Sequence, residues 1–376
     1  MYILLTGAKK NAGDFLIAHS AKRLFERFAP DRTFQELPSW LPVTEHLDLI
    51  NSAKALILCG GPAYQSGLGT RIYPILEDLD RIRVPIVSFG LGWKSFPGDD
   101  FDLKTFAFDS SSEPLLARIR NDFKYAGCRD YLTLRLLERL HFKNAWMTGC
   151  PAWYDPDCFG LPPAPPEKVE RILFTPAETP RFKTQSLAVL RLLRDLFPKA
   201  GGVCSFHRGW TVDEHTTEPH AANAAAIKEA AERMGFEAWD ASGTVEVMRR
   251  YREFDFHVGY RVHAHFRFLS LRKLSFLIAE DGRGRGALDA TGPLGVLGWR
   301  PSHAARFATM FQSSEGWARG VRRVLGSFRM DPATVQNLRR LILSEFEMGN
   351  PNLRATLDQI DSTWPRMREM LTSLPK

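Results

Sequence analysis

The stretch DFHVGYRVHAHFRFLSLRKLSFLIA, residues 255–279, contains two short apolar runs separated by a segment of helical periodicity. The first run ends near Gly259 and the second covers 274–279, while apolar residues between 264 and 273 recur at helical spacing. Strands that are apolar at successive positions are typical of parallel sheets, because such sheets are covered on both faces. The stretch therefore predicts a strand–helix–strand unit of an α/β domain.

The same unit recurs on both sides of this stretch. The N-terminal half has apolar runs at 2–5, 54–59 and 84–89, and then shorter ones in KYAGCRD and NAWMTGCPA. The C-terminal half begins a second series with RILFTP at 171–176 and GVCSFH at 202–207. Two consecutive β/α series predict two doubly wound, Rossmann-like domains that face each other across a cleft.

A proline-rich segment separates the two series. Residues 156–168 contain five prolines and no periodic pattern, which is typical of a stiff linker. We therefore predict an N-terminal domain over 1–155 and a C-terminal domain over 169–302.

The remaining residues, 303–376, read as a helical extension. Asp331-Pro332 is a predicted N-cap and first helical residue, and Asn350-Pro351 predicts a break between two helices. Four arginines of the extension would suit contact with anionic lipid, although a solvated helix face explains them more simply: Arg319, Arg322, Arg323 and Arg329.

Composition restricts the class of partner. Fifty Lys and Arg against 43 Asp and Glu give a formal charge of +7, which favours an anionic ligand or surface. The sequence has no Lys/Arg-rich run, so nucleic acid is not expected as the main partner.

Five cysteines without a C-x-x-C pair support neither a disulfide framework nor a zinc ribbon. The start, MYILLTG, does not resemble a signal peptide, and we expect a cytoplasmic protein, soluble or peripheral to the inner face of the membrane.

Glycines and polar residues follow three N-terminal strands. They are Asn11-Ala12-Gly13-Asp14, Gly60-Gly61-Pro62 and Gly90-Leu91-Gly92-Trp93. Ligands of doubly wound sheets bind beyond the carboxyl ends of the strands, where glycines let backbone amides approach an anion. Tight β/α turns would require the same glycines. Neither a Walker loop nor a complete G-x-G-x-x-G occurs, so a dinucleotide cofactor is not expected.

The densest group of functional side chains follows the strand that opens the 255–279 stretch. Arg261 suits a carboxylate or phosphate, and His263 can exchange a proton near neutral pH. Residues two apart in an extended segment share a side, so both could face one ligand; a capping histidine and a surface arginine are the alternative. His207, after the strand at 202–206, is a further candidate, with an ordinary loop histidine as its alternative.

Two arginines among three glycines follow the next strand, in EDGRGRG at 280–286. Arg283 and Arg285 therefore suit an anion-binding loop, and a solvated loop is the alternative. His263 and His265 form an H-x-H pair, but the sequence offers no third ligand at a recognisable spacing, and we expect no metal site. Cys59 and Cys150 are expected to be buried thiols rather than nucleophiles.

In this order and spacing, these segments resemble the polysaccharide pyruvyl transferase family over most of residues 1–300. The features that carry the resemblance are N-x-G-D at 11–14, Cys59-Gly60-Gly61, PIVSFGLG at 85–92, Arg129-Asp130, TGCPA at 148–152 and G-x-R-x-H at 259–263. Two departures are Pro62, where many relatives have a third glycine, and 281–285, where a Tyr and a Lys are usual.

The resemblance implies a GT-B-like arrangement of the two domains, with the N-terminal domain on the acceptor side of the cleft and the C-terminal domain on the donor side. It also implies that phosphoenolpyruvate donates a pyruvyl group to two hydroxyls of a sugar, without a separate cofactor, during surface polysaccharide assembly. The acceptor would be a saccharide, lipid-linked or nucleotide-linked. Two other functions stay open: a GT-B glycosyltransferase that uses a nucleotide sugar, and a non-catalytic carbohydrate-binding protein.

The resemblance also implies roles for residues. His263 would protonate the methylene carbon of the donor. Arg261 would clamp the donor's carboxylate or phosphate, with Arg283 and Arg285 as helpers. Asp14 would orient sugar hydroxyls or act as base. The remaining candidates for substrate binding are Asn11, Gly13, Gly60, Gly61, His207 and Arg129, the last of which could instead pair with Asp130 to secure a helix start.

Overall fold

The computed structural model describes residues 1–303, 306–307 and 315–376. Its N-terminal half is built on a parallel sheet in the order β2-β1-β3-β4. The four strands are β1 (Tyr2–Thr6), β2 (Phe34–Pro38), β3 (Leu56–Cys59) and β4 (Ile86–Phe89). A further parallel pair, β5 (Ala126–Cys128) and β6 (Ala145–Met147), follows the edge of β4 through a bridge between Leu91 and Cys128.

Helices cover this sheet as the β/α pattern requires. They are α1 (Ala12–Phe28), α2 (Leu47–Ser52), α3 (Asp100–Thr105), α4 (Glu113–Asn121) and α5 (Tyr131–Arg139). Short 3₁₀ or π turns lie at Thr44–His46, Leu68–Ile72, Leu76–Arg81, Ser110–Ser112 and Pro151–Trp153.

The C-terminal half contains a six-stranded parallel sheet in the order β12-β11-β10-β7-β8-β9. Its strands are β7 (Arg171–Thr175), β8 (Gly201–Phe206), β9 (Phe236–Asp240), β10 (Phe256–Gly259), β11 (Leu274–Ala279) and β12 (Gly295–Leu297). This is the strand order of a Rossmann fold, in which the order reverses between the first and fourth strands. The reversal lies between β7 and β10, so the predicted site after Gly259 is at the topological switch point.

Five helices connect these strands: α6 (Lys183–Leu196), α7 (Glu218–Arg233), α8 (Glu246–Arg249), α9 (Val262–Ser270) and α10 (Gly282–Thr291). Short 3₁₀ turns lie at Pro180–Phe182 and Arg250–Glu253. The segment at 280–286, expected to be a loop, is therefore mostly the first turn of α10. Asp281 is the N-cap of this helix and accepts hydrogen bonds from the amides of Arg283 and Gly284.

The C-terminal extension differs from the purely helical expectation. Strands β13 (Trp299–Pro301) and β14 (Phe328–Met330) form an antiparallel pair, followed by α12 (Thr334–Glu347) and α13 (Pro351–Ser373), with α11 (Glu315–Leu325) between the strands. Asp331 and Pro332 precede α12 rather than starting it, whereas Asn350 and Pro351 separate α12 from α13 as expected.

The last helix returns to the N-terminal half. Trp364 of α13 lies 4.6 Å from Phe28 of α1 between ring centroids, and Tyr2 donates a hydrogen bond to the carbonyl of Pro375 at 2.7 Å. At the domain boundary, Trp153 packs on Phe266 of α9. Two Rossmann-like domains with a returning C-terminal helix form the expected GT-B-like, mixed α/β fold. None of the helices that the structure describes is both long and apolar enough to cross a bilayer.

Candidate active site

The carboxyl ends of the strands of both domains face a small inner cavity of about 110 Å³. Residues that follow β1, β3, β4 and β5 of the N-terminal domain and β8, β10 and β11 of the C-terminal domain meet there. They converge because the strands of a parallel sheet all end at the same edge. The cavity is lined by Asn11, Asp14, Pro62, Lys94, Arg129, His207, Arg208, Tyr260, Arg261, Val262, His263, Glu280, Asp281, Arg283 and Gly284.

Arg261 joins the two domains at this cavity. Its Nη2 donates to Oδ1 of Asn11 at 2.9 Å, and its Nη1 donates to Oε2 of Glu178 at 2.7 Å. Although burial opposes ionisation of Glu178, Arg261 and Arg208 hold its pKa at about 2. The guanidinium is therefore fixed in position by an amide from one domain and a carboxylate from the other.

His263 is the second residue of α9, lines the inner cavity and is buried. Its Nε2 has no hydrogen-bond partner among the described residues. Burial lowers the pKa of this imidazole well below its ordinary value, and the charges of Arg129, Arg261 and Arg283 lower it further. The ring is therefore neutral and can both accept and donate a proton.

Arg129 both pairs with Asp130 and lines the inner cavity. Its Nε pairs with Asp130 at 3.1 Å, and Asp130 caps α5 by accepting from the amide of Thr133 at 2.8 Å. The guanidinium also lines the inner cavity, where its Nη2 is without a hydrogen-bond partner in residues 1–303, 306–307 and 315–376. Gly92 makes room for this side chain, since a Cβ there would lie 2.3 Å from Cζ of Arg129.

Asp14 and Asn11 connect the inner cavity to a larger outer cavity of about 430 Å³. Asn11 caps α1 and donates from Nδ2 to Asp14 Oδ2 at 3.2 Å. Burial raises the pKa of the Asp14 carboxyl above its ordinary range. Asp14 therefore lies where a group bound in one cavity would meet a group bound in the other.

Gly60 and Gly61 line the outer cavity, as expected for residues beyond β3. Both have positive φ, 60° and 80°, which glycine adopts without strain. The amide of Gly60, however, donates to the carbonyl of Phe89 at 2.8 Å. Its hydrogen-bonding capacity is thus used within the sheet rather than being directed at an anion.

His207 lines the inner cavity but is held by the protein on two sides. Its Nε2 lies 3.0 Å from the hydroxyl of Tyr251, and its carbonyl accepts from the amide of Ala12 across the domain boundary at 3.0 Å. Burial lowers the pKa of the ring well below its ordinary value. His207 is therefore a neutral wall of the cavity.

The two arginines of α10 take different positions. Arg283 lines the inner cavity and contacts Asp281, with its Nε donating at 2.8 Å. Arg285 pairs with Asp100 at 2.6 Å and donates to the carbonyl of Gly98, and it is not among the lining residues of the cavity. The two side chains diverge because residues two positions apart lie on different faces of a helix. Arg285 is therefore a contact between α10 and the N-terminal domain.

Lys94, Glu178 and Glu280 were not selected from the sequence as site residues. Each follows a strand end by a few residues, and this position was the signal that could have identified them. Glu280 is buried, and its Oε2 is unpartnered within the described part of the chain. Burial and the neighbouring Asp281 carboxylate raise the pKa of Glu280.

The arginines of the C-terminal extension do not form one basic face for lipid in the residues that the structure describes. Arg322 is buried and contacts Asp99 and Asp102 at 3.2 and 3.1 Å. Arg329 is exposed on β14. The side chains of Arg319 and Arg323 lie outside the described residues.

Several solved structures are similar to this chain. They include S. aureus MnaA with UDP (10% identity, 99% of this chain, 94% of that chain, TM-score 0.49) and Anabaena HepE with UDP and glucose (8%, 99%, 97%, 0.46). UDP-GlcNAc 2-epimerase of Methanocaldococcus jannaschii with UDP-GlcNAc and UDP is another (10%, 91%, 99%, 0.45). No curated protein matches the sequence. The family model described as polysaccharide pyruvyl transferase matches residues 11–282. This range includes the residues that line the inner cavity from Asn11 to Asp281.

Proposed function

This chain belongs to the polysaccharide pyruvyl transferase family, and on that premise we propose that it transfers the pyruvyl group of phosphoenolpyruvate to two hydroxyls of a saccharide. The product is a cyclic ketal, and inorganic phosphate is released. The donor occupies the inner cavity and the acceptor occupies the outer cavity.

One observation carries the proposal: three buried polar atoms with no partner in the described residues belong to residues that line the same small cavity. They are Nη2 of Arg129, Nε2 of His263 and Oε2 of Glu280. Leaving a buried polar atom unpaired costs about 1–3 kcal/mol, so such atoms are usually satisfied by a ligand or water. Arg129 is a donor, the neutral ring of His263 can present an N–H at Nε2, and Glu280, whose pKa burial raises to about 7, can donate when it is protonated. A small ligand that carries both a carboxylate and a phosphate would accept hydrogen bonds from all three.

The charges of the inner cavity support an anionic donor. Lys94, Arg129, Arg208, Arg261 and Arg283 line it, against Asp14, Glu280 and Asp281. Arg261 and Arg283 are already oriented by carboxylates, so they can bind a carboxylate or phosphate oxygen with little reorganisation. Arg283 thereby takes the place of the lysine that is usual after this strand.

The reaction requires a proton donor at the methylene carbon of the donor. His263, once protonated, transfers this proton to the methylene carbon and leaves an electrophilic centre at the neighbouring carbon. The first sugar hydroxyl adds to that centre and loses its proton to Asp14, whose raised pKa suits a base. Phosphate then departs with the proton that Asp14 took up. The second hydroxyl adds to the same carbon, loses its proton to the now neutral His263 and closes the ketal, which returns both residues to their starting states.

Binding of the donor would raise the pKa of His263, so that the ring takes up a proton from solvent. In the free protein, burial and three arginines keep the pKa of His263 low. The negative charges of the donor offset the arginines, so the imidazolium forms when the donor is in place. This coupling avoids a charged histidine in the empty site.

The outer cavity suits the acceptor. Trp40 and the main chain at Gly60 and Gly61 line it, and Lys9 lies over the Trp40 ring at 5.3 Å. An aromatic ring and backbone polar groups are ordinary features of a small-molecule pocket. Because Asp14 lines both cavities, a hydroxyl of the acceptor can reach the donor there.

The proposal is tested by incubating the purified protein with phosphoenolpyruvate and a panel of saccharides, free, nucleotide-linked and lipid-linked. We expect phosphate release only with a suitable acceptor, together with a mass gain of one pyruvate ketal on that acceptor. His263→Gln should abolish release, whereas His46→Gln, on a short turn away from both cavities, should not.

Thermal denaturation separates the proposal from the alternatives. Phosphoenolpyruvate should raise the melting temperature, since a ligand stabilises the state that it binds. Stabilisation by UDP or GDP without any response to phosphoenolpyruvate would favour a glycosyltransferase. Saccharide binding that is unchanged by His263→Gln, with no turnover of either donor, would favour a non-catalytic carbohydrate-binding protein.

A further inference from the structure

A second polar cavity lies between the domains, further along the helices that begin at the active site. It has a volume of about 440 Å³, and five arginines line it: Arg23, Arg249, Arg250, Arg252 and Arg267. We call it the arginine cavity. His19 of α1 completes the basic lining, and Asp157 and Glu253 are its acidic members.

The arginine cavity is separate from the inner cavity, but helices α1 and α9 contribute residues to both. His19 lies five residues after Asp14 on α1, and Arg267 lies four residues after His263 on α9. At a rise of 1.5 Å per residue these steps are about 8 and 6 Å along the two helices. The two cavities have no lining residue in common.

A buried ion triad builds one wall of the arginine cavity. Asp155 accepts from Nη1 of Arg23 at 2.8 Å and from Nη1 of Arg267 at 2.7 Å. Arg267 and Asp155 are almost fully buried, with side chains 8% and 4% exposed. Because Arg23 is on the N-terminal domain, Arg267 on the C-terminal domain and Asp155 at the start of the linker segment, the triad joins all three.

Two of the arginines that line the cavity have guanidinium nitrogens that are not committed to a carboxylate. Nε of Arg267 is buried and has no hydrogen-bond partner among the residues described. Arg252 forms no ion pair in the described part of the chain, and its Nε donates only to the carbonyl of Arg249. A buried, unpaired guanidinium nitrogen beside a second uncommitted arginine is a site for an anion that accepts several hydrogen bonds.

The environment of His19 is consistent with this interpretation. Burial lowers its pKa to about 4, with further contributions from Arg249, Arg23 and Arg267. An imidazole that stays neutral among arginines can still donate one hydrogen bond to an anion.

We propose that the arginine cavity is a second ligand site, which binds a phosphate or diphosphate group. Tetrahedral phosphate oxygens match several guanidinium forks at once, which a single carboxylate cannot. Since the lining comes from both domains, a bound phosphate would tie α1 to α9 and stabilise the closed arrangement of the active site. This inference does not depend on the identity of the donor in the inner cavity.

The test is titration calorimetry with inorganic pyrophosphate at low ionic strength, in an Arg261→Ala background that weakens binding in the inner cavity. We expect the background variant to bind pyrophosphate. Adding Arg249→Ala and Arg252→Ala should weaken binding by about tenfold or more, since one charge-assisted hydrogen bond contributes roughly that factor. Adding Arg233→Ala, an exposed arginine at the end of α7, is the matched control and should change nothing.

A measurement on the unaltered protein covers the case in which the background variant does not fold. Phenylglyoxal modifies accessible arginines, and peptide mass spectrometry locates the sites. Pyrophosphate should protect Arg249 and Arg252 and leave Arg233 reactive. Protection confined to Arg261 and Arg283, or equal effects of the double variant and the control, would overturn the proposal.

A third experiment distinguishes a lipid headgroup from a soluble phosphate as the ligand of the arginine cavity. Vesicles that contain phosphatidylglycerol and vesicles of phosphatidylcholine alone are sedimented with the protein. Binding to phosphatidylglycerol that depends on Arg249 and Arg252 assigns the group to a lipid. Binding of pyrophosphate without such sedimentation assigns it to a soluble ligand.

Discussion

Gly13 and His263 touch across the boundary between the two domains. A Cβ built at Gly13 would lie 2.5 Å from Nδ1 of His263 and 2.9 Å from its Cβ. Gly13 is on the first turn of α1 and His263 on the first turn of α9, so two helices from different domains meet end to end at the proposed proton donor. The position of the imidazole therefore depends on the absence of a side chain in the other domain.

This contact predicts that Gly13→Ala impairs catalysis without unfolding the protein. The methyl group must displace His263, and a misplacement of about 1 Å can reduce the rate by about 100-fold. The measurement is kcat for phosphate release, with circular dichroism to confirm the fold. Gly320→Ala is the matched control: it is on α11, where nothing in the described chain lies within 4 Å of an added Cβ. That variant should keep full activity and gain up to about 1 kcal/mol of stability.

We also predict that binding of phosphoenolpyruvate at pH 7.5 takes up a proton. His263 is neutral in the free protein because burial and Arg129, Arg261 and Arg283 lower its pKa, and the donor's charges offset those arginines. Calorimetry in buffers of different ionisation enthalpy measures the uptake, and His263→Gln should remove it. A binding enthalpy of the unaltered protein that is the same in all buffers would contradict the proposed proton donor.

Glu280 should make the protein less stable as the pH rises from about 4.5 to about 7. Its raised pKa means that the native state keeps a proton that the unfolded chain has already lost, so the free energy of unfolding falls as the pH rises above the ordinary range of a glutamate. The difference in unfolding free energy between Glu280→Gln and the unaltered protein should shift in favour of the variant by about 1 kcal/mol or more from pH 5 to pH 8. Each unit of pKa shift corresponds to about 1.4 kcal/mol. Urea unfolding at both pH values measures this gain.

The exposed residue Glu347 provides the control for that series. Glu347→Gln should follow the unaltered protein at both pH values. An unfolding free energy of Glu280→Gln that changes with pH in parallel with this control would show that Glu280 is ionised in the native state.

His265 should contribute to acid destabilisation. It is fully buried, its Nδ1 lies 2.8 Å from Oγ of Ser275, and burial lowers its pKa to about 3. Between pH 6.5 and 3 the unfolded chain binds a proton here that the native state does not, so stability is lost as the pH falls through this window. His265→Gln should reduce the slope of unfolding free energy against pH by about 1.4 kcal/mol per unit. His46→Gln should leave the slope unchanged.

Much of the fold was predictable because the strands of buried parallel sheets are apolar at successive positions. Strands β3, β4, β7, β10 and β11 lie within predicted apolar runs, and β1 and β8 each extend one residue beyond theirs. The runs failed to identify β2 and β12, which are edge strands with polar or small residues and few buried positions. They also missed the first turn of α10, because three glycines there suggested a loop. Those glycines instead allow close packing: a Cβ at Gly286 would lie 2.8 Å from Asp130.

The candidate site was predictable in part from the segments that follow strands, although Lys94, Glu178 and Glu280 lie in such segments and were not selected. Asn11, Asp14, Arg261, His263 and Arg283 all line the inner cavity on that basis. Arg285, selected from the sequence as a helper in substrate binding, does not line the inner cavity, because its position on α10 directs its side chain to Asp100. Whether Arg283 or Arg285 faces the cavity depends on the residue at which α10 begins. The three glycines at 282, 284 and 286 suggested a loop, so the start of this helix was not predicted.

What the sequence determined by itself was the order of strands and helices and the edge of each sheet at which ligands bind, since both follow from hydrophobic periodicity and from chain direction in parallel sheets. Only the tertiary structure decided which atoms are left without partners, because this depends on how two separately folded sheets are placed against each other. Arg129, His263 and Glu280 come from segments more than a hundred residues apart or from different strands. Their convergence on one cavity, and that of Arg23 and Arg267 on Asp155, is a property of the domain interface.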